Sequence, residues 1–159
     1  MAYEIRRKDR KMNEIAALEL LKKGEYGIIA SVAKDNQPYG VPVSYVVVAN
    51  SIYFHCALVG HKLDNIMVND KVSFTVVGQT KPYAKEDDYS TFYESVIVFG
   101  KAKVVEETNE IVEALKKLCE KYFPDDMDNF QAIYNHGKAA TKVVKISIDY
   151  LSGKANIEK

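Results

Sequence analysis

The spacing of hydrophobic positions along this chain changes several times, and each change marks an element. Ile15, Leu18, Leu20 and Leu21 recur at near-helical intervals behind a basic, polar arm, Ile5-Arg6-Arg7-Lys8-Asp9-Arg10-Lys11. They predict a first helix ending at Gly24 in a left-handed cap. Tyr26 to Ala33 reads as a strand, Lys34 to Pro38 supplies turn residues, and Tyr39 to Val48 reads as a second strand paired with the first in a hairpin. After a turn at Ala49-Asn50-Ser51 come a third strand to Ala57, a helix from His61 to about Asn69 and a fourth strand, Lys71 to Val77. Between Gly78 and Thr91, Pro82, Lys85, Glu86, Asp87 and Asp88 interrupt the pattern and predict a mobile loop. Tyr93 to Val105 is the longest strand candidate, with a bend or bulge expected at Gly100. Ile111, Val112, Ala114, Leu115 and Leu118 mark one face of a helix from about Asn109 to Lys121. A short helix over Asp125 to Asn135 and an alternating strand from Val143 to Leu151 close the chain.

Six strands with helices inserted between them predict a mainly β fold with antiparallel pairing, closed into a small six-stranded barrel because closure removes exposed edges. The 159 residues suit one domain spanning 1–159, and 47% apolar residues are enough for a substantial core. Lys+Arg and Asp+Glu balance at 22 each, which argues against a polyanion-binding surface and hence against nucleic acid as a partner. Cys56 and Cys119 have no metal-ligand spacing and are too few for a disulfide scaffold, so they read as reduced, buried thiols and no metal is expected. No apolar run approaches the roughly 18 residues of a membrane span, and Met1 to Lys11 is charged rather than signal-like. The expectation is a cytoplasmic protein with no membrane partner.

Two local features carry chemistry. Gly60-His61-Lys62-Leu63-Asp64-Asn65-Ile66 sets a glycine, a histidine, a lysine and an amide at the start of a helix, directly after a strand. The unpaired N–H groups and positive dipole end of a first helical turn favour an anion such as a phosphate. Lys62 adds a full charge, and His61 and Asn65 add donors. Locally, solvated first-turn residues remain the other reading. Pro42, in the second strand, has no N–H for a ladder bond, so that strand is either an edge or bulge, or has something other than a strand along it. A flat, hydrogen-bonding heterocycle would fit there, with Ser44 offering a hydroxyl.

Five blocks taken together resemble one family. They are Tyr39-Gly40-Val41-Pro42-Val43-Ser44-Tyr45, Ile52-Tyr53-Phe54-His55-Cys56-Ala57, Gly60 to Asn65, Lys71-Val72-Ser73-Phe74 and Tyr93 to Ala102. In this order they resemble the 5-nitroimidazole resistance, nitroimidazole reductase-like branch of the pyridoxamine-phosphate-oxidase-related flavoproteins. The likeness runs from Arg6 to Ala155.

The resemblance implies a split β-barrel that binds FMN and assembles as a homodimer, with two flavin sites at the subunit interface. It implies that His61, Lys62 and Asn65 hold the FMN phosphate and that Val41, Pro42, Val43 and Ser44 line the isoalloxazine ring. His55 and Cys56 would end a neighbouring strand nearby, while Ser95 and Val96 would approach the flavin from an adjoining strand of either subunit. The vitamin-synthesising oxidases of the superfamily carry an arginine and a lysine in the ring strand and basic residues near the C-terminus. This chain instead has Val41-Pro42-Val43-Ser44-Tyr45 and ends Ala155-Asn156-Ile157-Glu158-Lys159, which disfavours pyridoxamine phosphate oxidation. No Rossmann-type glycine fingerprint is present, so NADH or NADPH would bind transiently as electron donor.

The expected activity is an FMN-dependent oxidoreductase that reduces a small planar electron acceptor such as a nitroaromatic, with protons from solvent or His61. Tyr45, Tyr83, Tyr89 or Tyr93 would cover the acceptor, and the loop from Gly78 to Thr91 would set access to it. Two alternatives stay open: a flavin-binding protein that stores or senses FMN without turnover, and a haem-binding relative that uses a histidine ligand.

Overall fold

The computed structural model describes residues 4–157; residues 1–3 and the last two of the C-terminal run, 158 and 159, lie outside it. Helix α1 (Glu14–Lys23) is started by the Asn13 side chain, which accepts the Ala16 N–H at 2.8 Å, and it buries Ala17 and Leu21. Gly24 ends it at φ −57°, so the expected left-handed cap is not formed. Space is what requires glycine there, since a Cβ would lie 2.5 Å from Val76 Cγ1.

The strands are β1 (Gly27–Val32), β2 (Pro38–Val43), β3 (Val46–Val48), β4 (Ser51–Cys56), β5 (Lys71–Lys85), β6 (Asp88–Val104), β7 (Lys142–Ser147) and β8 (Tyr150–Asn156). Helices α2 (His61–Val68), α3 (Thr108–Tyr122) and α4 (Phe130–Gly137) are inserted between them. Pairing is antiparallel in the order β2-β1-β5-β6-β7-β4-β3, with β8 also on β6. The fold is therefore mainly β with inserted helices, but the described residues form eight strands where six were expected. Its sheet is also open, with β2 and β3 at the two ends of the path.

Two predicted strands are each divided, and in both places distant groups make the break. Between β2 and β3, the Tyr45 N–H donates to the Tyr122 hydroxyl at 2.9 Å, and Lys121 Nζ donates to the carbonyls of Tyr45 (3.0 Å) and Gly24 (2.7 Å). The Tyr45 ring turns fully inward, with its hydroxyl donating to the Leu21 carbonyl. Between β7 and β8, the Asp149 N–H donates to the Phe99 carbonyl at 3.0 Å, which carries the chain from one half of the sheet to the other.

Strand β6 joins the halves: Tyr93 to Phe99 pair with β8, and Ala102 to Val104 pair with β7. Gly100 lies at the crossing, where a Cβ would stand 1.7 Å from the Ser147 carbonyl oxygen. The register shift of this hairpin falls in β5 instead, between Val77 and Thr80, so the bulge expected at Gly100 is displaced.

The segment from Gly78 to Thr91 is not a loop. Strands β5 and β6 stay paired to Lys85↔Asp88, leaving only Glu86 and Asp87 to turn. Tyr83 stacks on Phe92 across the arm at 4.1 Å and 20°, a cross-strand contact that the polar composition concealed.

The main core holds Phe54, Phe74, Leu21, Ile29 and Ile146 inside the sheet, each side chain contributing about 1.5–3 kcal/mol by its burial. A smaller core under α3 gathers Val46, Tyr53, Val105, Ala114, Leu118 and Val143.

Candidate functional site

Helix α2 is held against β1 and β2 by two contacts from its first turns. His61 lies against the Tyr39 ring of β2 at 4.2 Å, and Asn65 Nδ2 donates to Ser31 Oγ of β1 at 3.0 Å. Ser31 and Tyr39 are themselves paired in the β1–β2 ladder, so one rung anchors both contacts. The start of α2 is thereby placed beside the free edge of the sheet. Gly60 enters the helix at φ 151°, ψ 160°, a conformation essentially reserved for glycine, with nothing within 4 Å of the position a Cβ would take. Its carbonyl takes the Leu63 and Asp64 N–H groups at 2.8 and 3.1 Å, and no side chain caps the first turn.

Two cations, Lys62 and Lys142, act on Cys56 at the end of β4. Burial raises the Cys56 thiol above its usual range, while the ammonium groups of Lys62 and Lys142 both pull it down. Lys142 pairs with Cys56 across β4 and β7, and sequence reasoning missed it because those strands meet only in the fold. Asn65 is 3% exposed with its amide nitrogen given to Ser31, so the structure places it as the residue that seats the helix.

Strand β2 is an edge strand, which accommodates Pro42 without loss of a ladder bond on its open side. Val41 and Val43 pack against the main core, whereas Pro42 and Ser44 are exposed. Pro42, Ile28, Thr75 and Ile97 form a row of directly paired residues across β2, β1, β5 and β6. Ile28, Val77, Ile97 and Phe99 are all more than a third exposed, giving this outer face an apolar character.

Val96 is fully buried in the core, and half-buried Ser95 beside it pairs with Val77. Both lie on β6, three strands from β2 in the order of the sheet and roughly 14 Å from it at the usual spacing. Of the tyrosines expected over a ring, Tyr45 is buried with its hydroxyl held well above the ordinary phenol range by desolvation. It is a core residue. Tyr83 is stacked within the arm, and Tyr89 is 90% exposed near its tip.

On the opposite side of the β2–β3 break lies a cavity of about 370 Å³ between β4, α3 and α4. Ser44 and His55 line it, together with Leu115, Cys119, Tyr122, Phe123, Phe130 and Tyr134. His55 is exposed on its wall rather than packed in the core. The floor is fixed from α3: the Tyr122 hydroxyl donates to the Glu25 carbonyl at 2.6 Å, and Lys121 sits 4.0 Å from the Tyr45 ring centroid. Desolvation lowers the Lys121 ammonium to about 8. A polar cluster ties α3 to the sheet, with Tyr53 and Lys145 both donating to Glu110 Oε1 at 2.7 and 2.8 Å. Apart from Leu115 and Cys119 on the predicted α3, these aromatic and helical residues had no signal beyond ordinary amphipathic spacing.

The family described as pyridoxamine 5'-phosphate oxidase matches residues 13–155. The chain belongs to that family. No curated protein matches it. Among solved structures, this family member shares its fold with a proposed 5-nitroimidazole antibiotic resistance protein from Bacteroides thetaiotaomicron. That likeness has 20% identity over 91% of this chain and 85% of that one, with a TM-score of 0.75. A flavocytochrome from Azotobacter vinelandii gives 14%, 98%, 73% and 0.85, and a FAD and heme binding protein from Mycobacterium smegmatis gives 19%, 94%, 74% and 0.81. Among the described residues, no helix is long and apolar enough to cross a membrane.

Proposed function

We propose that this family member is a flavin-dependent oxidoreductase that reduces small planar acceptors such as nitroaromatic compounds, with FMN held between two copies of the chain. The observation that carries the reading is the uncapped start of α2, with Lys62 in its first turn and Lys142 paired opposite Cys56 just before it, set beside the open edge of β2 through the His61–Tyr39 contact. These residues fit a phosphate joined to a flat ring. The helix N–H groups, Lys62 and His61 would hold the phosphate, while the exposed backbone edge at Val41 to Ser44 would align the heterocycle. The flavin, when bound, supplies the electron transfer; the chain supplies position, exclusion of water and a proton from His61 or solvent.

The exposed apolar row through Pro42, Ile28 and Ile97 supports a homodimer packed on that face. In such a dimer half-buried Ser95 would meet the partner's flavin rather than its own, with Val96, enclosed in the core, holding the strand behind it. A solved relative named for FAD and heme binding supports a flavin or haem role for the fold, and one named for 5-nitroimidazole resistance supports a nitroaromatic acceptor. The valine-rich β2 in place of basic residues supports a substrate other than pyridoxamine phosphate. NADH or NADPH is the proposed donor, acting in the cytoplasm without a dedicated binding domain.

Anaerobic titration tests this reading. A yellow protein that bleaches with NADH or NADPH and recovers its absorbance on adding a nitroaromatic is the expected result. A protein that takes up no FMN overturns the reading, and bound FMN that no donor reduces leaves it a storage or sensing module.

A further inference from the structure

We infer that the cavity between β4, α3 and α4 is the binding site for the acceptor, and that it selects flat, uncharged aromatic molecules; this rests on the flavin reading above. Its volume of about 370 Å³ lies within the range of roughly 300–1,000 Å³ typical of small-molecule sites. Four aromatic side chains, Tyr122, Phe123, Phe130 and Tyr134, line it, and Phe130 and Tyr134 stand nearly parallel at 19°. Such walls favour offset stacking with a planar ring.

The polar groups are few. The Ser44 hydroxyl lies at the end of β2, the strand beside which the flavin ring is proposed, so the cavity begins where that strand stops. The His55 imidazole has no hydrogen-bond partner among the described residues and is free to donate to a nitro or carbonyl oxygen. Among the described residues no carboxylate lines the cavity, and the one lysine that does, Lys138, lies 5.6 Å from the Tyr134 ring centroid. A formally charged ligand would have no counter-ion except at that rim, so a neutral molecule is selected.

The fold does not account for the cavity's apolar side chains. Phe123 and Ile133 line it yet remain 64% and 55% exposed. Exposed large apolar groups around a preformed apolar hollow mark a ligand site more than a packing defect.

The test is a titration of the purified protein with 4-nitroanisole, followed by amide resonances, with 4-methylanisole as an analogue that carries no nitro group. Both compounds are expected to saturate shifts confined to Ser44 and its neighbours, β4 and residues 115–141. Ile133→Trp, which fills the hollow from an exposed position, should raise both dissociation constants at least tenfold, and Phe123→Ala should raise them several-fold. FMN affinity should stay at the wild-type value in both variants. Shifts elsewhere, or unchanged constants in both variants, overturn the assignment. Preferential filling by hemin, seen as a Soret band lost in Ile133→Trp, or by decanoate also overturns it. Failure of FMN to bind while 4-nitroanisole still saturates the cavity overturns the flavin reading and leaves an aromatic site standing. Bound FMN with no cavity signal overturns this inference alone.

Discussion

At the start of α2 the chain exposes polar groups that neighbouring residues leave unsatisfied, whereas beneath α3 and α4 it exposes apolar surface around a hollow. The first region is assembled locally. Gly60, His61 and Lys62 are consecutive, and the strand that feeds them, β4, ends only four residues earlier at Cys56. The second region joins Ser44 and His55 to residues from Leu115 to Thr141, bringing together parts of the chain that are far apart in sequence. A site for charge can thus be built from one helix end, because backbone N–H groups and a lysine suffice. A site for an aromatic ring needs several walls, and only long-range packing supplies them.

The two regions are coupled through the crossing at Gly100, which joins the half-sheet carrying β2 to the half-sheet carrying β4. Gly100→Val should harm both at once. Its Cβ would meet the backbone oxygen of Ser147, which cannot give way, so a loss of about 3 kcal/mol or more in stability is expected. Urea denaturation monitored by tyrosine fluorescence checks this, and a variant with wild-type midpoint would show that the halves are not pinned there.

A change of smaller effect separates the regions. If Lys62 holds the phosphate as proposed, Lys62→Ala removes a charge-assisted contact worth about 1.5–3 kcal/mol, and FMN should bind roughly ten- to a hundredfold more weakly. Binding of 4-nitroanisole should remain as in wild type, because no cavity wall contains Lys62. Equal losses for both ligands in isothermal titration would erase the distinction between the sites.

The smallest expected effect is on the boundary between them, where Lys121 holds the β2–β3 break. Burial lowers its folded-state value from 10.5 to about 8. Between those values the unfolded chain binds more protons than the folded one, so this group makes stability rise with pH across that window and contributes no slope below it. Comparing wild type with Lys121→Met by thermal melts from pH 7 to 10 should show the wild type gaining on the variant above pH 8. Parallel curves would mean that Lys121 stays charged in the folded state. Taking the difference matters because burial raises Cys56, Cys119 and Tyr45, which lose stability as pH rises.

Amphipathic spacing was enough to place α1 and α3 within about two residues, because Leu21, Ala114 and Leu118 must face a core wherever that core is. The start of α2 was legible for a similar reason, glycine followed by His and Lys after an apolar strand being a local pattern. The arm from Gly78 to Thr91 was misread. Its charged residues occupy a hairpin tip, and the Tyr83–Phe92 stack that supports it depends on register rather than composition. The Lys142 contribution beside Cys56 was invisible too, since nothing near position 142 announces a partner 86 residues away.

The chain by itself determined where α1 and α3 lie, where charge gathers and that the strand at Pro42 lacks one ladder donor, since period, charge and the missing N–H act within a few residues. Tertiary structure alone decided that Tyr39 to Val48 is two strands rather than one, because the groups that break it, Lys121 and the Tyr122 hydroxyl, come from α3. It also decided the open sheet, the seating of Asn65 on Ser31 and the cavity beneath α4. Each of these depends on backbone and side-chain groups meeting across distances that no local pattern encodes.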